Sequence, residues 1–362
     1  MLGTGRAHPS RTDPGPLRPR RSPIHSLSAV ASRRTVSTVV ARCALVLVLA
    51  LGAGAAGCGG ANESADAPPP PARPQDFPKA GGKTLTEIQQ AVGEEGPILL
   101  SSVSEVKPGK NRFGFGLFDR ARAQIADAPV AVYVAPRGGG PARGPFPARY
   151  ESLAVKPQFQ SESVSSDPDA AKSLYVADVR LPREGPYDVL GVARLDDRLV
   201  AATPLGPPLT AESDRPSPDV GDKAPRISTE TTVDAGGDTY SIDTREPPST
   251  MHEVDFADVV GKKPVILLLA TPALCQSRVC GPVADIAEQV KAERGEEAVF
   301  IHQEIFRDNQ VDKGFRPQFA AWNLITEPWL FAIDRDGRVA ARIEGAFSAE
   351  ELNDAVDAAV AR

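Results

Sequence analysis

The sequence is poor in the residues that build most metal centres and disulfide scaffolds: its 362 residues hold four Cys and four His. It contains no His-Glu-x-x-His and no Cys pair two residues apart, so the common zinc motifs are excluded. No Ser-centred nucleophile elbow appears, and the glycine run at 137–145 lacks the Lys-Ser/Thr that a phosphate loop needs. A surplus of positive charge is absent outside the start of the chain. Residues 1–57 carry eight Arg and one acid, a net of +7, so the overall −6 leaves −13 on the remainder. That balance excludes a nucleic-acid binder, which needs a surplus of Lys and Arg to neutralise phosphates. Long apolar runs are absent too. Cys43–Gly57 spans only fifteen residues, against the ~20 that a membrane-spanning helix requires. By contrast, 35 Pro and 31 Gly point to linkers and a loop-rich β region.

The short apolar run follows an Arg-rich start and ends in small residues, the pattern of a signal peptide. Its exit, Ala55-Ala56-Gly57-Cys58, resembles the lipobox of bacterial lipoproteins. The resemblance implies a signal peptide over 1–57, a lipid on Cys58, and a protein held at the outer face of the cell membrane. Residues 58–83 are Pro-rich and small, the composition of an extended tether. Once Cys43 leaves and Cys58 carries lipid, Cys275 and Cys280 are the remaining thiols, in a compartment where disulfides persist.

Residues 84–205 read as β. Thr84-Leu-Thr-Glu87 is a capping-box pattern that opens one short helix. After it, runs such as "APVAVYVAP", "SLYVADVRL" and "RLVAATPL" alternate with turn clusters at the spacing of a β-sandwich. The stretch around Tyr187 resembles the tyrosine corner of immunoglobulin-like domains. The expectation is an all-β immunoglobulin-like sandwich with neither Cys nor His, serving as a spacer or docking module.

A Pro-rich linker, 206–221, leads to a change of pattern. Over 222–362 strands alternate with helices, which predicts a sheet with crossovers. "PVILLLA" (264–270) is a continuous apolar strand, covered on both faces. Val283, Ile286, Ala287 and Val290 recur at helical spacing. A hairpin turns at Asp336-Gly337, and Ser348-Ala-Glu-Glu351 caps a closing helix. The order strand, Cys-bearing turn, helix, strand, helix, Pro, hairpin, helix resembles the thioredoxin fold. With "DVGDKAP" ahead of it (219–225), it is most similar to membrane-tethered TlpA/ResA-type thioredoxin-like proteins. That resemblance puts Pro328 in the place of the cis-proline facing the active site, and Gly345 near a glycine common in the fold. The fold class expected is therefore an N-terminal β-sandwich and a C-terminal α/β thioredoxin-like domain.

Cys275 and Cys280 stand where a strand hands over to a helix, and a helix N-terminus favours the thiolate. Five residues of α-helix rise about 7.5 Å, beyond the ~7 Å Cα separation that a disulfide tolerates. Two arrangements remain. The helix can begin near Gly281-Pro282, leaving 275–280 as a loop that closes the bond. Alternatively it begins near Cys275, and its first turn unwinds on oxidation. The spacing in "TPALCQSRVC" also resembles the bacterioferritin-comigratory peroxiredoxins, although Pro328 stands where that family carries its Arg and Arg278 would have to substitute.

The thioredoxin resemblance implies thiol–disulfide exchange with protein thiols and disulfides of the cell envelope, with Cys275 as attacking thiolate, Cys280 as resolving thiol and Pro328 shaping the substrate groove. No cofactor is implied. A thiol peroxidase, or a non-enzymatic binding protein with a structural disulfide, are the alternatives. Strand 264–270 has no carboxylate to accept a proton; Glu327 is the nearest one and is expected to be exposed. His252 and His302, with the two Cys, fall short of a four-ligand zinc set. Trp322 and Trp329 are expected to pack rather than react.

Overall fold

The computed structural model describes residues 68–93 and 96–361. The leader, Cys58 and the first part of the tether lie outside them, and among the described residues no helix is long and apolar enough to cross a membrane.

The expected capping box forms. The Thr84 hydroxyl accepts from Glu87 N (3.3 Å) while Thr84 N donates to the Glu87 carboxylate (2.7 Å), opening α1 (Leu85–Val92). The β-branched runs that follow then become strands: β1 (Ile98–Ser101), β2 (Gly109–Phe118), β3 (Gln124–Ile125), β4 (Val130–Pro136) and β5 (Arg143–Ser152). After a connection holding the short α2 (Glu162–Ser165) come β6 (Ser173–Leu181), β7 (Gly185–Leu195), β8 (Arg198–Leu205) and β9 (Leu209–Ala211).

These strands do not split into two sheets. β1 pairs β2 antiparallel and β8 parallel, so the circuit β1-β8-β7-β4-β5-β6-β2 returns to its start as a closed seven-stranded barrel. The immunoglobulin-like sandwich expected from strand spacing is thus corrected. The reason is β1, which is hydrogen-bonded on both sides and leaves no edge at which two sheets could separate. The tyrosine corner is nonetheless present locally: Tyr187 Oη donates to Arg183 O (3.0 Å) and accepts from Arg183 N (3.3 Å). β9 falls within the Pro-rich segment read as a linker and pairs β7.

Side-chain alternation explains the long apolar runs. Val130, Val132 and Val134 fill the barrel together with Phe115 and Tyr175, while Ala131 and Tyr133 face outward beneath Ile88 of α1. β6 is also covered twice. Tyr175, Ala177 and Val179 point inward, and Leu174 and Val176 point the other way, into the C-terminal half.

That half supplies α3 (Phe256–Val259), β10 (Val265–Leu269), α4 (Cys280–Arg294), β11 (Val299–Gln303), α5 (Pro317–Ala321), β12 (Trp329–Ile333), β13 (Val339–Glu344) and α6 (Ala349–Val360). The sheet order is β11-β10-β12-β13, with β10 and β11 parallel and β12 and β13 antiparallel to their neighbours. This is the arrangement that the thioredoxin resemblance implies. The central β10 is buried along its whole length. Ile266 and Leu268 face the cluster containing α4 and α6, and Leu267 and Leu269 face Phe256, Trp322 and Trp329.

Barrel and sheet share a core. Leu153, Leu174 and Val176 from the barrel side join Cys280, Val283 and Leu352 in one buried cluster. Each such side chain contributes about 1.5–3 kcal/mol when fully buried. Charged pairs rim the seam. Arg112 grips Glu351 through two bonds of 2.7 Å, Arg149 adds a third at 2.8 Å, and Arg342 meets Glu105 at 2.8 Å with both side chains buried.

Candidate redox site

The site begins where β10 ends. Leu274 N and Cys275 N both donate to Thr271 O (3.3 and 3.2 Å), and Arg278 N donates to Cys275 O (3.3 Å), winding residues 271–278 into consecutive turns. Arg278 takes a positive φ of 59°. Val279 then caps α4, whose first residue is Cys280 itself. Pro282 sits in the first turn, where its missing N–H leaves no bond unmade. In the disulfide-bonded form residues 275–279 lie outside the helix, which begins at Cys280. Cys275 stands ahead of that helix, and the disulfide to Cys280 spans a Cα–Cα distance of 5.9 Å.

Cys280 is fully buried and Cys275 is 6% exposed. The Ser277 hydroxyl lies 3.1 Å from Cys275 Sγ, and since a disulfide sulfur only accepts, Ser277 is the donor. Cys280 occupies the end of α4 whose free N–H groups favour a negative sulfur.

The peptide before Pro328 is cis. Pro328 is buried at the start of β12, and its carbonyl accepts from Gly345 N (2.9 Å). Its neighbour Glu327 is not the exposed side chain expected. One carboxylate oxygen accepts from Thr271 N (2.8 Å), and a carboxylate oxygen lies within 4.8 Å of both sulfurs. Burial pushes this carboxyl up to about 7. The acid that strand 264–270 lacks is therefore delivered from the loop before β12.

Behind Glu327 lies a buried polar cluster that the sequence reading did not assemble. His302 Nε2 lies 3.0 Å from Ala270 O, and its Nδ1 lies 3.3 Å from Asp243 Oδ2. Ala270 O and Asp243 Oδ2 only accept, and the Ser249 hydroxyl, also 3.3 Å from Nδ1, can accept as well. The surroundings therefore accommodate a doubly protonated imidazolium. Burial opposes that charge, but Asp243 outweighs it and pushes His302 up to about 9. Burial likewise works against the Asp243 carboxylate, yet the His302 and His252 rings together hold it well below the usual range. Glu304 is buried and raised by that burial; one of its oxygens accepts from Thr244 N and the Thr244 hydroxyl, both at 2.7 Å. Its other oxygen has no hydrogen-bond partner among the described residues.

Asp243, His252 and His302 bring three potential ligand atoms within 4.8 Å of one another. Asp243 Oδ2, however, already accepts from Ser249 N (2.7 Å), His252 Nε2 (3.0 Å) and His302 Nδ1 (3.3 Å). The three side chains are joined to one another as a buried hydrogen-bonded network. Arg278 does not serve the sulfurs; its guanidinium binds Asp167 of the barrel connection at 2.6 Å. Trp322 and Trp329 pack with Phe331, as expected, and Arg342 stacks 4.6 Å over the Trp329 ring.

Comparison with known proteins adds little. No protein-family model matches the sequence, and no curated protein does. Among solved structures, one described as the thiol:disulfide interchange protein DsbE from Chlorobium tepidum has a TM-score of 0.29 at 18% identity, covering 40% of this chain and 99% of its own. A second, a thioredoxin-family thiol:disulfide interchange protein from Chlorobium tepidum TLS, has a TM-score of 0.28 at 19% identity, covering 41% of this chain and 99% of its own.

Proposed function

We propose that this chain is a thiol–disulfide oxidoreductase working through Cys275 and Cys280. The observation that carries the reading is the Glu327 carboxyl, set within 4.8 Å of both sulfurs and tuned to hold or release a proton near neutral pH. An incoming thiolate attacks Cys275 Sγ, the sulfur that retains some exposure. The Cys275–Cys280 bond breaks, and Cys280 leaves as a thiolate that takes the Glu327 proton. A second thiolate then attacks the mixed disulfide and releases Cys275, so two thiols become one disulfide as the protein gains two electrons. The reverse sequence oxidises a substrate dithiol.

The test is the reduction potential of the full chain, read by thiol alkylation across a redox-buffer series. A reversible midpoint above roughly −300 mV supports exchange; a bond that stays closed below that value makes the pair a structural staple. The staple, in a binding or assembly protein, is the second reading, favoured by the burial of both sulfurs.

Export and a lipid anchor on Cys58 belong to the same proposal, supported by the apolar run and the Gly57-Cys58 junction. They would place the protein among cell-envelope thiols and disulfides. Radiolabelled fatty acid incorporated by the expressed chain and lost in Cys58→Ser checks the anchor; equal labelling of both removes it.

A further inference from the structure

We propose that the barrel connection 153–172 is a built-in cover that selects, by size, which thiols reach Cys275. The inference rests on the exchange reading above and adds a determinant of what the site accepts.

Four contacts, none belonging to the sheet that carries the cysteines, fix this connection along the redox loop and the start of α4. Ser161 N and Oγ donate to the Asp285 carboxylate at 2.9 and 3.1 Å. Val164 lies so close to Gly281, the residue after Cys280, that a Cβ there would stand 2.8 Å from its methyl. Asp167 accepts from the Arg278 guanidinium at 2.6 Å. Ala171 N donates to Arg278 O at 3.1 Å. Every residue from 278 to 285 thus lies within a stretch held by the connection at both ends and in the middle.

The opposite flank is covered as well. Ser104 N and Oγ donate to Glu344 at 2.8 and 2.5 Å, and the Ser102 carbonyl would lie 2.2 Å from any Cβ at Gly345, the residue hydrogen-bonded to Pro328. A folded partner that needed both the redox loop and the Pro328 turn would meet the barrel at each. What remains open is the outer side of the loop, where Ala273, Gln276, Ser277 and Arg278 are exposed. An opening flanked by the barrel on both sides favours a small thiol over a folded partner.

The cover selects without changing the chemistry. A thiolate from a low-molecular-weight thiol enters past Gln276 and Ser277, attacks Cys275 Sγ and displaces Cys280 as before. A protein thiol reaches the same sulfur only when residues 161–171 lift away.

The experiment uses the full chain and compares the wild type with Val164→Ser/Asp167→Ala, which removes the apolar contact and the ion pair. Appearance of free thiols is followed with dithiothreitol and, separately, with a reduced thioredoxin as a protein reductant at equal thiol concentration. In the wild type, dithiothreitol is expected to react at least about tenfold faster than the protein. In the variant the protein reductant gains at least about tenfold and dithiothreitol less than about threefold. The single change Asp167→Asn, which keeps the fold intact by conserving shape, is expected to give a smaller gain of the same kind. Equal rates for the two reductants on the wild type, or equal acceleration of both in the variants, overturns the cover and leaves the exchange reading standing. A disulfide that neither reagent opens in any of the proteins overturns both.

Discussion

The Glu327 carboxylate and the Cys275 sulfur lie within 4.8 Å of each other, and the Cys280 sulfur stands within the same distance of both. No sheet register enforces this triangle. It arises because the turn before β12 is tied to the end of β10 through Thr271 N.

Burial raises the folded-state pKa of Glu327 to about 7, so the folded protein holds this proton more tightly than the unfolded chain does. The stability it contributes is complete below the unfolded value and is lost as pH rises through about 7. The wild-type Tm is expected to fall between about pH 5 and about pH 8, and Glu327→Gln to flatten that fall. A Tm profile unchanged by the substitution would remove Glu327 as a titrating group. Under the exchange reading, the same variant slows reduction near neutral pH more than at high pH, where hydroxide and solvent take over proton transfer.

Replacing Cys280 with Ser is expected to leave Cys275 able to form a mixed disulfide, visible as a thiol-reversible adduct by mass spectrometry. Cys275→Ser is expected to form none, because Cys280 is fully buried. Opening the disulfide should lower stability by only about 2 kcal/mol, since the closed loop is short.

Asp243 is the counter-charge of a buried imidazolium. Asp243→Asn leaves His302 charged without a partner, at an expected cost of about 3–5 kcal/mol, and lowers the His302 titration from about 9. In the wild type the His302 contribution is full below the unfolded histidine value and disappears as pH rises through about 9. Ring-proton NMR shifts followed against pH check the assignment.

Gly345 has φ of +77° and no room for a Cβ beside the Ser102 carbonyl. Gly345→Ala is expected to destabilise by about 2–4 kcal/mol through strain and a forced shift of the barrel loop. Ser102→Gly should not rescue it, because the obstructing atom is backbone. Chemical denaturation of the three variants settles the point.

Glu351→Ala removes the carboxylate that pairs Arg112 at the seam, while Arg149 keeps Glu151. A loss of about 2–4 kcal/mol is expected from the partly buried Arg112 charge. Unfolding should remain one transition, because the core beneath is shared by barrel and sheet.

Local features were legible in the sequence wherever a residue's neighbours in the chain are also its physical partners. The capping boxes at Thr84 and Ser348, the hairpin turn at Gly337 and the extents of strands such as Arg198–Leu205 follow from short-range hydrogen bonding and β-branching. Barrel closure was not legible, because it depends on Ile98–Leu100 finding Thr203–Leu205, a pairing that leaves no trace in spacing. The doubly apolar "SLYVADV" did carry a signal of two covered faces, though not of what covers the second. Asp243 lies in an aperiodic segment, far in sequence from His302 and Glu304. Only folding brings Asp243 onto the His302 ring.

The seam between barrel and sheet joins residues far apart along the chain. Ser104 and Glu344 are separated by 240 positions, and Arg112 and Glu351 by 239. Contacts of such high sequence separation slow folding, since wide loops must close before they yield any stabilisation. The barrel strands emerge first during synthesis, while Leu174 and Val176 wait for an α4 and an α6 still to be made. Both sulfurs would therefore remain open to an oxidant until that shared core has formed. The redox state in which the pair is sealed beneath the barrel would then be set by the environment in which folding finishes.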